Sequence, residues 1–192
     1  MKPIRTGILV FLFWTIVAGG LYPLFTTGIA AVFFPHLSGG SLVAKGGVVV
    51  GSTLLAQDFP GDTYFRPRPS AVGYNAAGSG ASNQGYTSAQ LKKDVAERTA
   101  DWRKANATNE VPPEMVTASA SGLDPDVSPS GAELQVPRVA AARHLTAAGT
   151  AALMALVKRH EQGPQWGFLG EPRVNVLSLN LALDAAFPEA KP

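Results

Sequence analysis

The 192-residue chain contains no cysteine and carries a formal charge of +2, which excludes a disulfide framework and any cysteine-based zinc site. Lys2 and Arg5 supply the whole excess, because residues 35–192 balance 14 Lys/Arg against 14 Asp/Glu. Without a basic surplus outside the first five residues, nucleic-acid binding has no electrostatic basis.

Residues 1–7 form a short basic N-terminus. No charged residue occurs in the 39 positions between Arg5 and Lys45, and Ile8 to Phe34 is a predominantly apolar run of 27 residues. About 20 residues suffice to cross the hydrocarbon of a bilayer. The run therefore predicts one transmembrane helix over 8–34, its excess taken up by tilt or by a bend at Pro23, which lacks a backbone donor. Lys2 and Arg5 hold the N-terminus in the cytoplasm by the positive-inside rule and put residues 35–192 outside. A cleaved signal peptide competes, but the apolar run continues past Ala18-Gly19-Gly20 and no clean A-x-A site follows, which favours a retained anchor. Thr15 and Gly19, and Thr27 and Ala31, stand one turn apart. That spacing lets a partner helix approach, although small residues are frequent in such helices anyway.

The remaining 158 residues match one ordinary domain. Ser38-Gly-Gly-Ser41 reads as a linker, and the β-branched run Val48–Leu55 as a strand. Tyr64-Phe65-Arg66 is a plausible second strand stopped by Pro67 and Pro69. Residues 70–88, rich in Gly, Ser, Asn and Ala, predict a long loop of the kind that is functional or disordered. A helix over Thr87–Lys104 opens on a capping box of Thr87 and Gln90, with Leu91, Val95 and Trp102 on one face. After a proline-rich loop over 105–129, a second helix is expected from Ser130, boxed by Glu133 and kinked at Pro137. A third follows Thr146 and turns Leu153, Leu156, Val157 and His160 inward. Val174–Leu177 suggests a strand. Beyond it the leucines fit strand or helix spacing, and strand followed by helix is preferred. The class is α+β: a single N-terminal transmembrane helix and one mixed extracytoplasmic domain.

The chain offers little that resembles a catalytic centre. Gly78–Gly85 has the glycines of a phosphate loop but not its Gly-Lys-Ser/Thr ending. His36, His144 and His160 lack metal-ligand spacing, and the last two suit helix C-termini. Asp124 and Asp126 flank Pro125 and fit turn roles better than acid–base chemistry. Arg66 and Arg68, on a stiff proline-flanked segment, fit an ion pair or interface as readily as solvated surface. An anchored accessory or binding module is the simplest reading.

Several strings are unusual: YFRPRPSA (Tyr64–Ala71), then Tyr74-Asn75 and SGASNQG (Ser79–Gly85), VTASASGLDPDVSP (Val116–Pro129), QVPRVAAAR (Gln135–Arg143) and GFLGEPRVNVLSLNLAL (Gly167–Leu183). In this order, behind an N-terminal helix, they resemble the C subunit of the Kdp potassium-transporting ATPase across nearly the whole chain. Ala81 departs from the family's second loop glycine, Tyr86 from a proline, and Asp126 from a histidine after GLDP. The resemblance implies a bacterial inner-membrane complex for high-affinity, ATP-driven potassium uptake. Its other members are a potassium-selective channel-like subunit, a P-type ATPase catalytic subunit and a small single-helix subunit. It also implies a catalytic chaperone that raises the catalytic subunit's affinity for ATP; ATP enters by this resemblance alone, and no cofactor or metal residue is assigned. The topology read from Lys2 and Arg5 puts nearly all polar residues on the side without ATP, so an assembly or entrance-cap role is preferred. Neither a DKTGT phosphorylation sequence nor an ion-filter sequence is present. The candidate interface residues are Gly19, Arg66, Arg68, Ser82, Asn83, Asp124 and Gln135, with the loops at 66–86 and 117–129 as the contact surface. The competing class is a stand-alone, membrane-anchored periplasmic domain that binds a small molecule.

Overall fold

A computed structural model of the chain describes residues 2–106 and 108–188, in two compact units, residues 1–50 and 51–192. The first unit is dominated by a continuous 32-residue helix, Lys2–Phe33, long and apolar enough to span a membrane. It comprises α1 (Lys2–Ile16), a π-helical turn (Val17–Leu21) and α2 (Tyr22–Phe33). The helix thus starts six residues before the expected run. The irregularity expected at Pro23 takes the form of the π turn, in which the Tyr22 N–H reaches back to the Val17 carbonyl. Widening the helix there suits a turn that the proline deprives of one donor. The Thr15 and Thr26 hydroxyls return to helix carbonyls at 2.8 and 3.0 Å, as hydroxyls in hydrocarbon must.

Behind it come the single turn α3 (Pro35–Ser38) and a hairpin of β1 (Leu42–Lys45) and β2 (Val48–Ser52). Gly46 and Gly47 have φ of 62° and 82°, which a two-residue hairpin turn of the primed type requires. The stretch expected to be a linker is in fact the end of α3 and a turn, and the expected strand stops three residues early, at Ser52.

In the second unit the core gathers on three helices: α6 (Val136–Ala142), α7 (Ala147–Arg159) and α8 (Val176–Ala186). Val136, Val139, Leu153, Leu156, Val157, Leu179 and Leu183 interleave there, and Phe65 and Met115 fill the space from irregular segments. A small antiparallel sheet closes one side in the order β3 (Asp126–Val127), β5 (Arg173–Asn175), β4 (Glu161–Gln162). Val174 at its centre opposes Val127 on one side and Glu161 on the other. The helix α4 (Ala89–Asn106) lays Leu91, Val95 and Trp102 down as a half-buried stripe, as its periodicity requires.

Caps explain the helix boundaries. Thr146 and Asn175 accept from the third residue beyond them and start α7 and α8, giving the expected strand-then-helix at the C-terminal end. Ser88, not Thr87, caps α4, and Gln90 turns to Asp94 at 2.6 Å instead of completing a box. Ser128, not Ser130, caps the next helix, α5 (Pro129–Glu133). Pro137 does not kink that helix. The chain breaks at Leu134-Gln135, and Pro137 falls in the first turn of α6, where its missing N–H costs nothing. His144 and His160 follow the ends of α6 and α7, as expected.

Candidate functional site: a loop surface held by helix side chains

The segment expected to be a strand at Tyr64–Arg66 is irregular, with a bend at Tyr64, and pairs with no strand. Buried backbone groups still need partners, and here side chains on α8, on α6 and at the two ends of α6 provide them. Asn180 of α8 accepts the Phe65 N–H at 2.9 Å and donates to its carbonyl at 2.9 Å. Gln135 does the same for Arg66, at 2.7 and 3.0 Å. Arg138 of α6 donates to the carbonyls of Asp62 and Tyr64 at 2.8 and 3.0 Å, and Arg143 to that of Thr63 at 2.8 Å. Two amides and two guanidiniums thus stand in for the missing neighbouring strands.

The cations are themselves held. Arg143 pairs with Asp184 at 2.9 Å and lies 4.9 Å from the Tyr64 ring. Arg138, with its side chain 3 % exposed, also bonds Gln135 and sits 5.9 Å from the Trp102 ring. Burial, and then the nearby Arg66, push its guanidinium down to about 10, while Asp62 pulls in the opposite direction.

From this base two loops are sewn into one surface. Ser119 N donates to the Pro69 carbonyl, Ser70 Oγ to that of Gly122, and Gly80 N and Ser79 Oγ both to that of Ser121, at 2.7–3.0 Å. Gly122 has φ of 67°, and a Cβ there would lie 2.6 Å from Val72 Cγ2 and 2.7 Å from the Gly80 oxygen. Only glycine fits that junction. The Tyr74 hydroxyl donates to the Arg68 carbonyl at 3.0 Å, and burial, then Asp58, raises its pKa.

Two hollows flank this surface. A cleft of about 230 Å³ is lined by Arg66, Pro67, Pro69, Tyr74, Arg98 and Trp102 among others. A wider groove of about 790 Å³ runs along an ion-pair chain: Arg68 to Asp124 at 3.2 Å, and Asp126 to Arg173 at 3.1 Å. Glu114, Glu161 and Glu171 also line it, yet among the described residues no group of three His, Cys, Asp or Glu side chains is placed to hold a metal ion.

The candidate residues therefore separate. Arg66 and Arg68 stand on the clamped segment, with Arg66 bound to the Gly61 carbonyl and Asp62 and Arg68 to Asp124. Ser82 and Asn83 are exposed on the second half of the same loop, Asn83 with φ of 53°. Gly19 lies apart, in the π turn, and a Cβ there would meet nothing within 4 Å. Gln135 requires correction: it is wholly buried, and its amide makes four hydrogen bonds, the last from Nε2 to Gly131 O at 3.1 Å. It shapes the surface from beneath and has nothing left to offer a partner. The sequence reading missed Asn180, Arg138 and Arg143. Their one signal was a polar side chain set among apolar neighbours on a core-facing helix.

A helix long and apolar enough to span a membrane, followed by an α+β domain, marks a membrane-anchored protein. The chain belongs to the family described as K+-transporting ATPase, c chain (KdpC), which matches residues 4–185. Among its relatives, the potassium-transporting ATPase KdpC subunit of Geobacter sulfurreducens is 49% identical, covering 98% of this chain and 100% of that protein. The KdpC subunit of Rhodopseudomonas palustris is 46% identical over 98% and 99% of the two chains, and that of Rhodospirillum rubrum 47% over 99% of both.

Proposed function

We propose that the chain is an accessory subunit of a high-affinity, ATP-driven potassium uptake complex, without catalytic residues of its own. Near-full-length identity to potassium-transporting ATPase KdpC subunits carries this reading. Residues 8–34 anchor it in the bacterial inner membrane, residues 1–7 face the cytoplasm, and residues 35–192 lie in the periplasm, a reading supported by Lys2 and Arg5 ahead of a charge-free stretch. Its partners are the channel-like potassium-selective subunit, the P-type catalytic subunit and the small single-helix subunit. The chaperone effect on ATP affinity then passes through assembly, because a periplasmic domain has no access to ATP. Arg66, Arg68, Ser82, Asn83 and Asp124 provide the docking surface, and the rigid sewing of their loops supports that role. Pre-organised surfaces lose less conformational freedom on binding.

A tagged full-length chain should bring down the other ATPase subunits in mild detergent, and protease added to spheroplasts should digest its domain. A chain that purifies alone, or a domain cut only in inverted vesicles, would overturn the reading.

A further inference from the structure

The polar loops above are hydrogen-bonded to one another. The apolar surface of the second unit lies elsewhere. Of five exposed large hydrophobic residues described there, three fall within four positions: Trp166, Phe168 and Leu169, with Trp166 84% and Phe168 73% exposed. They form the tip of the connection between β4 and β5, whose root at Val174 is wholly buried.

This tip is built, not loose. Gln165 and Leu169 exchange backbone hydrogen bonds at 2.8 and 2.9 Å, and the N–H groups of Gly167 and Phe168 close on Pro164 and Gln165. Trp166 takes φ of 54°, a left-handed conformation that is costly for a bulky side chain and is retained where it serves a contact. Nothing from Gly163 to Gly170 carries a charge, while Glu161 and Glu171 stand exposed at the two ends.

We propose that this tip is a second docking element, which seats Trp166 and Phe168 in an apolar pocket on another subunit of the ATPase. The inference rests on the accessory-subunit reading. Two aromatic side chains bury about 150–250 Å² each, well short of the roughly 1,200 Å² that a free-standing interface needs. Self-association through the tip alone is therefore too weak. A chain already tethered by its helix needs only such a small contact, because tethering raises the effective concentration.

Gly163 offers a place for a reporter: a Cβ there meets nothing within 4 Å, and the chain has no other cysteine. The full-length Gly163→Cys chain, carrying an environment-sensitive fluorophore, is compared alone in phosphatidylcholine–phosphatidylglycerol nanodiscs and within the assembled complex, whose other subunits lack reactive thiols. Iodide should quench the label freely in the chain alone and severalfold less in the complex. Shielding in nanodiscs without partners would mean that the tip enters lipid, and undiminished quenching in the complex would mean that it docks nowhere; either overturns the proposal. If no complex is recovered, the accessory-subunit reading falls first and this inference with it.

Trp166→Asn supplies the second arm, since asparagine tolerates positive φ. Thermal stability of the chain should hold or rise, while its dissociation from the complex quickens by roughly tenfold or more, as truncating an aromatic hot spot does. Unchanged retention would overturn the proposal even if the turn stays intact.

Discussion

Replacing Asn180 by Leu tests whether helix side chains really substitute for a strand. The side chain is buried, and its amide meets both backbone groups of Phe65 at 2.9 Å. Leucine has similar bulk and fills the space, but it strands one donor and one acceptor beside the core. Each such group costs about 1–3 kcal/mol, and the added apolar burial offsets part of this, so a net loss of about 2–5 kcal/mol is expected. Against a total stability of about 5–15 kcal/mol that is a large fraction. At about 2–4 °C per kcal/mol for a chain of this size, the midpoint should fall by roughly 10 °C. The assay is thermal and urea unfolding of the full chain in mild detergent, followed by near-ultraviolet circular dichroism, which reports the domain's packed aromatic rings. Asn180→Asp sharpens the test. It keeps an acceptor for the Phe65 N–H but, when ionised, presents a second oxygen to the Phe65 carbonyl. Burial raises that carboxyl above its unfolded value near ~4, so the folded state holds a proton that the unfolded chain releases. Stability of this variant should therefore climb as pH is lowered from 7 through that raised pKa, and flatten near the unfolded value. If Asn180→Leu unfolds within about 0.5 kcal/mol of the parent, below the cost of one lost hydrogen bond, the clamp is not what holds Phe65.

Gly122→Ala should cost at least about 2 kcal/mol, because positive φ and the clash with Val72 and the Gly80 carbonyl act together. Gly46→Ala, with similar φ but open space, should lose only about 1 kcal/mol, and equal losses in urea unfolding would remove the argument for a packed junction. Gly19→Leu and Arg68→Ala should each loosen assembly while leaving the domain folded, since Gly19 faces open space and the part-exposed Arg68–Asp124 pair is worth at most about 1 kcal/mol. Together they should abolish recovery of the catalytic subunit on a tagged chain, and full recovery with the double variant would show that neither residue contributes.

What could be read from the sequence was whatever depends on short-range pattern. The apolar run announced the long helix, Thr146 announced the start of α7, and the periodicity of Leu153, Leu156 and Val157 announced its buried face. Boundaries slipped by one or two residues where several hydroxyls compete for one cap, as with Ser88 beside Thr87 and Ser128 beside Ser130. Tyr64–Arg66 misled for a different reason. Proline flanks do impose extended backbone, but the groups that bond it lie 69 and 115 positions away, just before α6 and on α8. No local pattern carries that information. Gln135 was misjudged on the same account: a polar residue two places before a proline reads as surface until its four hydrogen bonds are seen. Phe168 stands in one of the unusual strings and Trp166 just before it, yet exposure of these two rings cannot be told from burial by composition.

The clamp also bears on how such a domain can serve a complex. Arg66 and Arg68 project from a segment whose every backbone group from Phe65 to Arg66 is fixed by Asn180 and Gln135, the first on α8 and the second immediately before α6, both helices of the core. Irregular backbone of this kind usually keeps low local stability, because water competes for its hydrogen bonds. Here the bonds are buried at Phe65 and part-buried at Arg66, so the segment's order is tied to the folding of α6 and α8. A docking surface made this way is either fully formed or lost with the domain. That removes the ordering cost a mobile loop would add to each weak contact, and it lets a subunit held by a single helix in lipid gain from several small contacts at once.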